Sequence, residues 1–383
     1  MLLAQKEITH VHLTGAKTTS DVIKKVYGES RSHLSSEDIK ARVTSELGCA
    51  TPVIISPGKY SKTEMKNCAR NIVTGKKMFS GSNCLGSQVI VLSQSWNQKD
   101  EFRTVLKEEL KLTYTDPSYY PGSLDRVKQF ISKYDANNVE QIRGTMIPRS
   151  RYHNEKMEYS EKELQSWSND HHTYIIECGV VGTDGFNSYA IDNEIFGPIL
   201  AIVEVPDNND KITNIRRHES PDIQYLTNSA VPFVNDKIFG TLSCQLMYPT
   251  RKNSLFTSYK KMETQIKQHV ISKLNYGTVT VNTYALAGYS PLGFGGQWGA
   301  HLKDKEGHSG NGYVGNGYGL RNVDKTVVYG ARLSLPILLS KRYLLPALVM
   351  DLASNLVVWQ SRVQSLIKLC VRRCTVIGKY KNR

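Results

Sequence analysis

Short unbroken apolar runs alternate along the chain with longer stretches in which apolar residues return every three to four places. The runs predict strands over 52–56, 88–93, 174–180, 198–205, 241–248 and 278–282. The periodic stretches predict helices over 61–77, 98–111, 122–133 and 254–274, with Pro117 and Pro121 marking breaks. Ahead of them, Ile8 to Leu13 reads as a strand, Thr14-Gly15-Ala16-Lys17 as a turn, and Ser20 to Tyr27 as a helix opening on a Ser/Asp cap. Residues 29–45 are polar and read as a connection to the segment that opens at Glu46. Alternation of this kind predicts an α/β fold with a largely parallel sheet covered on both faces.

Past residue 285 the pattern changes. Residues 288–319 hold much of the glycine, and Lys325 to Tyr329 reads as a last short strand. The polar stretch 150–172 is expected to be an exposed loop. Gly310-Asn311-Gly312-Tyr313-Val314-Gly315 spells GxGxxG, but a dinucleotide fingerprint must follow a strand and open a helix. This one follows Lys303 to His308 and leads into more glycine, so a flexible loop is expected. From Leu344 to Cys370 apolar residues recur at helical spacing, and Lys368, Arg372, Arg373, Lys379, Lys381 and Arg383 crowd the end. Two readings stay open for this tail: a basic amphipathic helix on an anionic membrane surface, or a helix packed on the rest of the chain.

Composition narrows the picture. At 383 residues there is room for two or three cores, and 40% hydrophobic with 22% charged residues marks an ordered globular chain. The net charge of +14 would suggest a polyanionic partner. However, residues 331–383 carry ten Lys/Arg and one acid, Asp351; this gives them +9 and leaves +5 for the first 330. No nucleic-acid partner is therefore expected. Seven scattered cysteines, none in CxxC spacing, argue against a secreted disulfide framework and against a zinc site. His171-His172 and the Cys370/Cys374 pair have no partners at metal-ligand spacing, so no metal is expected. Met1-Leu2-Leu3-Ala4 runs at once into Gln5-Lys6-Glu7, and no apolar stretch reaches the roughly 18 residues of a spanning helix. The expected placing is cytoplasmic, with peripheral membrane contact through the tail as the second option.

Three segments could carry chemistry. Cys84 lies in Phe79-Ser80-Gly81-Ser82-Asn83-Cys84-Leu85-Gly86-Ser87-Gln88, a small-residue turn running into Val89-Ile90-Val91-Leu92. A cysteine nucleophile needs an accessible thiolate, close approach by a carbonyl and backbone N–H groups for the oxyanion, and small neighbours permit that approach. Read alone, Cys84 is equally a small buried residue at a strand edge. Upstream, Glu46-Leu47-Gly48 opens the run Thr51-Pro52-Val53-Ile54-Ile55; a carboxylate in a partly desolvated site suits a general base. Downstream, Glu194-Ile195-Phe196-Gly197-Pro198 ends a polar loop and starts Ile199-Leu200-Ala201-Ile202-Val203.

In this order, the three segments resemble the aldehyde dehydrogenase superfamily. Asn235 with Phe239-Gly240-Thr241-Leu242, Gly277 to Asn282, Phe294-Gly295-Gly296 and Lys325-Thr326-Val327 extend the resemblance over residues 10 to 330. The implied fold is α/β and aldehyde dehydrogenase-like, with the catalytic domain nearly complete and the nucleotide-binding domain only partial. Residues 1–47 would be a remnant of the nucleotide-binding domain and 48–285 the catalytic domain. The Gly-rich loop and final strand would occupy 286–330, and the basic tail 331–383. The implied activity is oxidation of a small-molecule aldehyde to a carboxylic acid with NAD or NADP, in a homo-oligomer. Cys84 would attack the aldehyde, lose hydride to the nicotinamide and become a thioester, and Glu46 would activate the hydrolytic water. Glu194 would hold the nicotinamide ribose, Phe196 would pack near the ring, and Thr14 and Gly15 would open a helix toward the pyrophosphate.

The sequence also departs from the family pattern. Cys49 and Ala50 replace the glycine and lysine that commonly follow the glutamate motif, and Ala16 stands where a serine is frequent. The extra residues between Glu46 and Cys84 fall around Ser56-Pro57-Gly58-Lys59-Tyr60, a turn by composition. A branch with this insertion and a long basic tail is the nearest match. The resemblance further implies an N-terminally truncated member that lacks the oxyanion asparagine, leaving the Cys84 backbone N–H as the main donor. The competing expectation is a non-catalytic truncated paralogue acting as a binding or membrane-associated scaffold.

Overall fold

Val89 to Leu92 carries no polar side chain, so both faces of that strand must be covered. In the computed structural model it lies inside an eight-stranded sheet. The structure describes residues 2–113, 115, 120–144, 172–207, 220–249, 263–289, 297–298, 312–313 and 325–330. The amphipathic tail, most of the glycine-rich 288–319, the loop 150–171 and the start of the 254–274 helix lie outside the described residues. Contacts divide the chain into one unit, Met1–Ser334, which holds all the described residues, and a second, Leu335–Arg383.

The strands are β1 (Val11–Gly15), β2 (Val43–Leu47), β3 (Pro52–Ile55), β4 (Val89–Ser93), β5 (Val139–Arg143), β6 (His172–Val180), β7 (Ile199–Val205), β8 (Ser243–Met247), β9 (Thr278–Val281), β10 (Gln297–Trp298), β11 (Gly312–Tyr313) and β12 (Thr326–Tyr329). The main sheet runs β12-β9-β8-β3-β4-β7-β6-β5. Every adjacent pair is parallel except β5 with β6. The mixed α/β fold and the parallel-rich sheet are those the alternation predicts. β1 and β2 pair parallel in a separate sheet, with Thr14 opposite Glu46.

Side chains alternate between two cores, as a strand period of two requires. Val53, Ile55, Ile90, Leu92, Leu200 and Ile202 face α3 (Lys62–Lys77) and α4 (Lys99–Leu112). Ile54, Val89, Val91, Ile199, Ala201 and Val203 face the helical segments Pro221–Lys237 and Ile266–Lys273, with α5 (Ser123–Ile131). All twelve are fully buried. Each large apolar side chain so buried contributes roughly 1.5–3 kcal/mol, more than a typical net hydrogen bond. A frame of this strength tolerates under-bonded polar groups at its rim. α3 opens on a capping box: the Ser61 hydroxyl accepts from the Glu64 N–H at 3.3 Å and the Glu64 carboxylate accepts from the Ser61 N–H at 2.9 Å.

Three expectations are corrected. Thr14 and Gly15 are not a turn; they extend β1, because β2 offers them ladder partners. Ser20 caps nothing, since α1 (Lys17–Glu29) begins three residues earlier and buries Ser20 in its body. The 29–45 connection contains α2 (Ser36–Arg42), closed at its start by a Ser35/Asp38 capping box, and the strand β2. Pro221–Lys237, for which no helix is predicted, is helical: Pro221 stands at its first position, where no N–H is needed, and Pro232 follows the π-helical turn Leu226–Ala230. The Ser56–Tyr60 turn is anchored: the Trp96 indole donates to the Gly58 carbonyl at 3.1 Å and the Tyr60 hydroxyl to Met247 at 3.1 Å. Among the described residues no helix is long and apolar enough to cross a membrane.

Candidate active site

β3, β4 and β7 are neighbours and parallel, so the loops entering them meet at one edge of the sheet. β2 carries Glu46 near its end, the loop from it into β3 carries Gly48, the loop into β4 carries Cys84, and the loop into β7 carries Glu194 and Phe196. This is the amino edge, opposite the carboxyl edge where open α/β sheets usually bind ligands.

The turn before Cys84 is held in an unusual backbone. Phe79 (φ 54°, ψ 31°), Ser80 (φ 54°, ψ 36°) and Gly81 (φ 71°) are left-handed in succession, a conformation that costs a non-glycine residue roughly 1–2 kcal/mol. It delivers the Cys84 thiol to the Glu46 carboxylate, where Sγ donates to Oε1 at 3.8 Å. The Asn83 amide oxygen lies 3.8 Å from the same sulfur and accepts from the Leu85 N–H at 2.8 Å. The other Glu46 oxygen accepts from the Thr14 hydroxyl at 3.5 Å. Burial raises Glu46 above its ordinary value, opposed by the Cys84 thiol, His12 and Thr14. Burial, then the charges of Glu46 and Glu194, push the Cys84 thiol up to about 12. At neutral pH it is a protonated thiol beside a carboxylate able to take the proton.

Glu194 rests on Gly48, where a Cβ would collide with its carboxylate. The Cys49 backbone N–H bonds it; burial lifts it to about 7, opposed by that bond and by the Lys76 charge. Phe196 is half-buried, edge-on to the Tyr120 ring at 5.5 Å between centroids. Its carbonyl accepts from the Ser82 hydroxyl at 3.4 Å, tying the β7 loop to the Cys84 turn. Behind Phe196, Gly81 approaches the Gly197 carbonyl so closely that any side chain there would strike it.

The profile of the aldehyde dehydrogenase family matches residues 1–217, more than half of the chain. The chain belongs to the aldehyde dehydrogenase family. A 1-pyrroline-5-carboxylate dehydrogenase of Staphylococcus aureus (strain JH1) is 24% identical over 212 residues, covering 55% of this chain and 37% of the relative. Two solved structures are similar. An NADP-dependent glyceraldehyde-3-phosphate dehydrogenase from Bacillus halodurans C-125, complexed with NADP, has TM-score 0.45 and 18% identity, covering 74% of this chain and 46% of that one. A betaine aldehyde dehydrogenase from Staphylococcus aureus, complexed with NAD+, has TM-score 0.46 and 17% identity, covering 74% and 45%. This aldehyde dehydrogenase family chain therefore spans less than half the length of each protein named.

Of the residues singled out in this family member, Cys84, Glu46 and Thr14 form one line of contacts, and the Glu194 charge reaches Cys84. Phe196 meets the turn through its backbone. Gly15 is exposed at the end of β1, where an added Cβ would meet only the Leu13 side chain, and Ala16 ahead of α1 provides no side-chain cap. Among the described residues no three His, Cys, Asp or Glu side chains are placed to hold a metal ion.

Two residues escape a reading of the sequence alone. The Gln88 amide donates to the Ala190 and Asn193 carbonyls at 2.8 and 2.7 Å and accepts from the Ile195 N–H at 2.8 Å, clamping the Glu194 loop from both sides. A glutamine opening an otherwise apolar strand is the available signal. Lys76 is 1% exposed, although the last turn of a helix usually carries solvated lysines.

Proposed function

We propose that this chain oxidises an aldehyde to a carboxylic acid with NAD or NADP, through a thioester on Cys84. The Cys84–Glu46 contact at 3.8 Å carries the reading. It pairs a soft nucleophile with a base on a different element, as nucleophilic catalysis by a protonated thiol requires. With the thiol at about 12 and Glu46 raised above its ordinary value by burial, the proton passes to Glu46 as sulfur attacks the carbonyl carbon. The Cys84 backbone N–H is the donor this reading assigns to the developing oxyanion on the substrate's carbonyl oxygen. Glu46, returned to its ionised form, then removes a proton from the water that hydrolyses the thioester.

The residues fit a nicotinamide nucleotide at its nicotinamide end. Glu194 is a half-buried carboxylate held on the bare Gly48 backbone, suited to accept from ribose hydroxyls, and Phe196 offers a partly open aromatic face. When bound, the nicotinamide supplies the hydride acceptor of the oxidation. In this reading residues 1–47 belong to a nucleotide-binding domain and 48–285 to the catalytic domain, in keeping with the separate β1–β2 sheet.

The purified chain should form NAD(P)H with a panel of aldehydes. Cys84→Ala should lower turnover by on the order of 10⁴-fold or more, as loss of a nucleophile does. Turnover that survives Cys84→Ala would overturn the thiol mechanism. A folded chain that neither turns over nor accepts an acyl group on Cys84 from an activated ester would overturn the enzyme reading.

A further inference from the structure

Lys76 ends α3 in the interior, 1% exposed, with no carboxylate within ion-pair distance among the described residues. Its ammonium donates to the Gly197 carbonyl at 3.1 Å. Its stem flanks Gly81, where a Cβ would stand 3.1 Å from the Lys76 Cδ, and Gly81 in turn abuts the same Gly197 carbonyl. Gly81 is the last left-handed residue before the nucleophile, and Gly197 lies three residues past Glu194 in the loop into β7. One buried lysine thus meets both loops of the site, its amine on one and its stem on the other, at the point where they touch each other. A buried lysine with a single carbonyl acceptor is costly in a core, because desolvation opposes its charge. α3 could place an aliphatic residue there with no such penalty.

We infer that Lys76 is a positioning residue, pinning the Glu194 loop to the Cys84 turn and setting an ammonium against the Glu194 charge. This role rests on the thiol site proposed for Cys84. Lys76 acts on the nucleophile through Glu194, since the charged groups facing Cys84 are Glu46 and Glu194. Those facing Glu194 are Lys76 and the Cys49 and Cys84 thiols, and Glu46 is faced by Cys84 and His12. The ionisation tendencies agree with this geometry. Burial brings Lys76 down to about 7 against the pull of Glu194, while burial brings Glu194 up to about 7 against the pull of Lys76. Near neutral pH both stand poised between charged and neutral forms, and the charge of each favours the charge of the other.

The test measures alkylation of Cys84 by iodoacetamide across pH 6–10 in the full chain, a readout that needs no cofactor. Removing the ammonium lets Glu194 take up a proton, lifts its repulsion from the thiol and frees the turn. Lys76→Met should therefore label several-fold faster than wild type at pH 8, with its profile shifted to lower pH, and Lys76→Arg should move back toward wild type. Profiles of wild type and Lys76→Met agreeing within twofold would overturn the inference. If Lys76→Met does not fold, ¹⁵N-lysine titration of the otherwise native chain decides. Glu194→Gln should lower the midpoint of the Lys76 amine, and an unchanged midpoint would overturn the coupling. Binding of NAD+ and NADP+ is measured alongside. Absence of both from wild type, with the labelling shift present, would sink the cofactor reading while the role of Lys76 stands.

Discussion

The two ends of the same sheet treat their charges in opposite ways. Toward the carboxyl ends of β6 and β7, Arg103 grips Glu177 through two bonds, at 3.0 and 3.1 Å, and Glu204 through a third at 2.7 Å. Lys99 adds a further contact to Glu204 at 2.7 Å. Glu204 is held below its ordinary value; burial opposes this, but bonds and charges from Lys99 and Arg103 prevail. At the amino edge, Glu46 and Glu194 are raised by burial, and the Lys76 ammonium that acts on Glu194 donates to a carbonyl. The first arrangement satisfies every charge it buries and reads as structure. The second gives its carboxylates neutral donors in place of ion pairs, which raises the free energy of the resting ionised groups and leaves them ready to move protons. Where a fold leaves its buried charges short of partners is where chemistry should be sought.

Glu46→Gln attacks the amino edge most directly. It removes the proton acceptor from both the thiol attack and the hydrolysis, and a positioned base contributes roughly 10²–10⁴-fold. With the proposed mechanism the variant should release a burst of NAD(P)H and stall as a Cys84 thioester visible by intact mass. In wild type, hydrolysis should rise with pH through the raised Glu46 ionisation, since only the carboxylate accepts a proton. Stability should respond the other way. A raised carboxyl contributes to folding below its unfolded value of 4.5, and this is lost as pH rises through the folded value. Gln should therefore hold or raise Tm at pH 8. A large fall in Tm would mean that Glu46 is structural and would blur the contrast between the two ends.

The sequence makes these ends unequally legible. Cys84, Glu46 and Glu194 stand in local motifs, so their convergence follows once three entry loops are assigned to one parallel sheet. β3, β4, β7, β8 and β9 are legible because burial on both faces leaves few polar residues to confuse the run. β5 is not: Val139-Glu140-Gln141-Ile142-Arg143 is an edge strand with only Ile142 fully buried, so its pattern resembles a loop. The Lys76 ammonium and the Gln88 clamp are invisible for another reason. Each depends on a partner more than 100 positions away, and only tertiary structure shows that a lysine in a last helical turn faces inward.

Arg103→Ala tests the carboxyl end. It leaves Glu177 without its bidentate partner and Glu204 with Lys99 alone. Breaking a buried ion pair costs several kcal/mol, but Glu177 is 36% exposed and water recovers part of that, so the loss should be about 2 kcal/mol. The difference in Tm from wild type should be full above pH 4.5 and shrink as pH falls and Glu204 takes up a proton, because a lowered carboxyl loses its contribution through its folded value. Cys84 labelling should stay within twofold of wild type. A labelling change of tenfold would show that the two ends are coupled through β7 and do not act separately.

The smallest effect bears on what the amino edge stores. Phe79 holds a left-handed backbone at φ 54° while its ring is 43% exposed, so asparagine in its place would lose little burial and occupy a conformation it tolerates. Phe79→Asn should stabilise the chain by about 0.5–1 kcal/mol, part of the cost of a non-glycine left-handed residue. Differential scanning calorimetry reads this as a Tm rise of roughly 1–3 °C for a domain of this size. The alkylation rate of Cys84 then separates two meanings of the strain. If Tm rises and the rate is unchanged, the left-handed turn is a geometric requirement that phenylalanine meets at a cost and asparagine meets without one. If Tm rises and the rate falls, the strained ring itself holds the thiol toward Glu46, and the amino edge stores conformational as well as electrostatic free energy. A fall in Tm would show that contacts of the Phe79 ring outweigh the backbone strain. The contrast between the ends would then rest on charge alone.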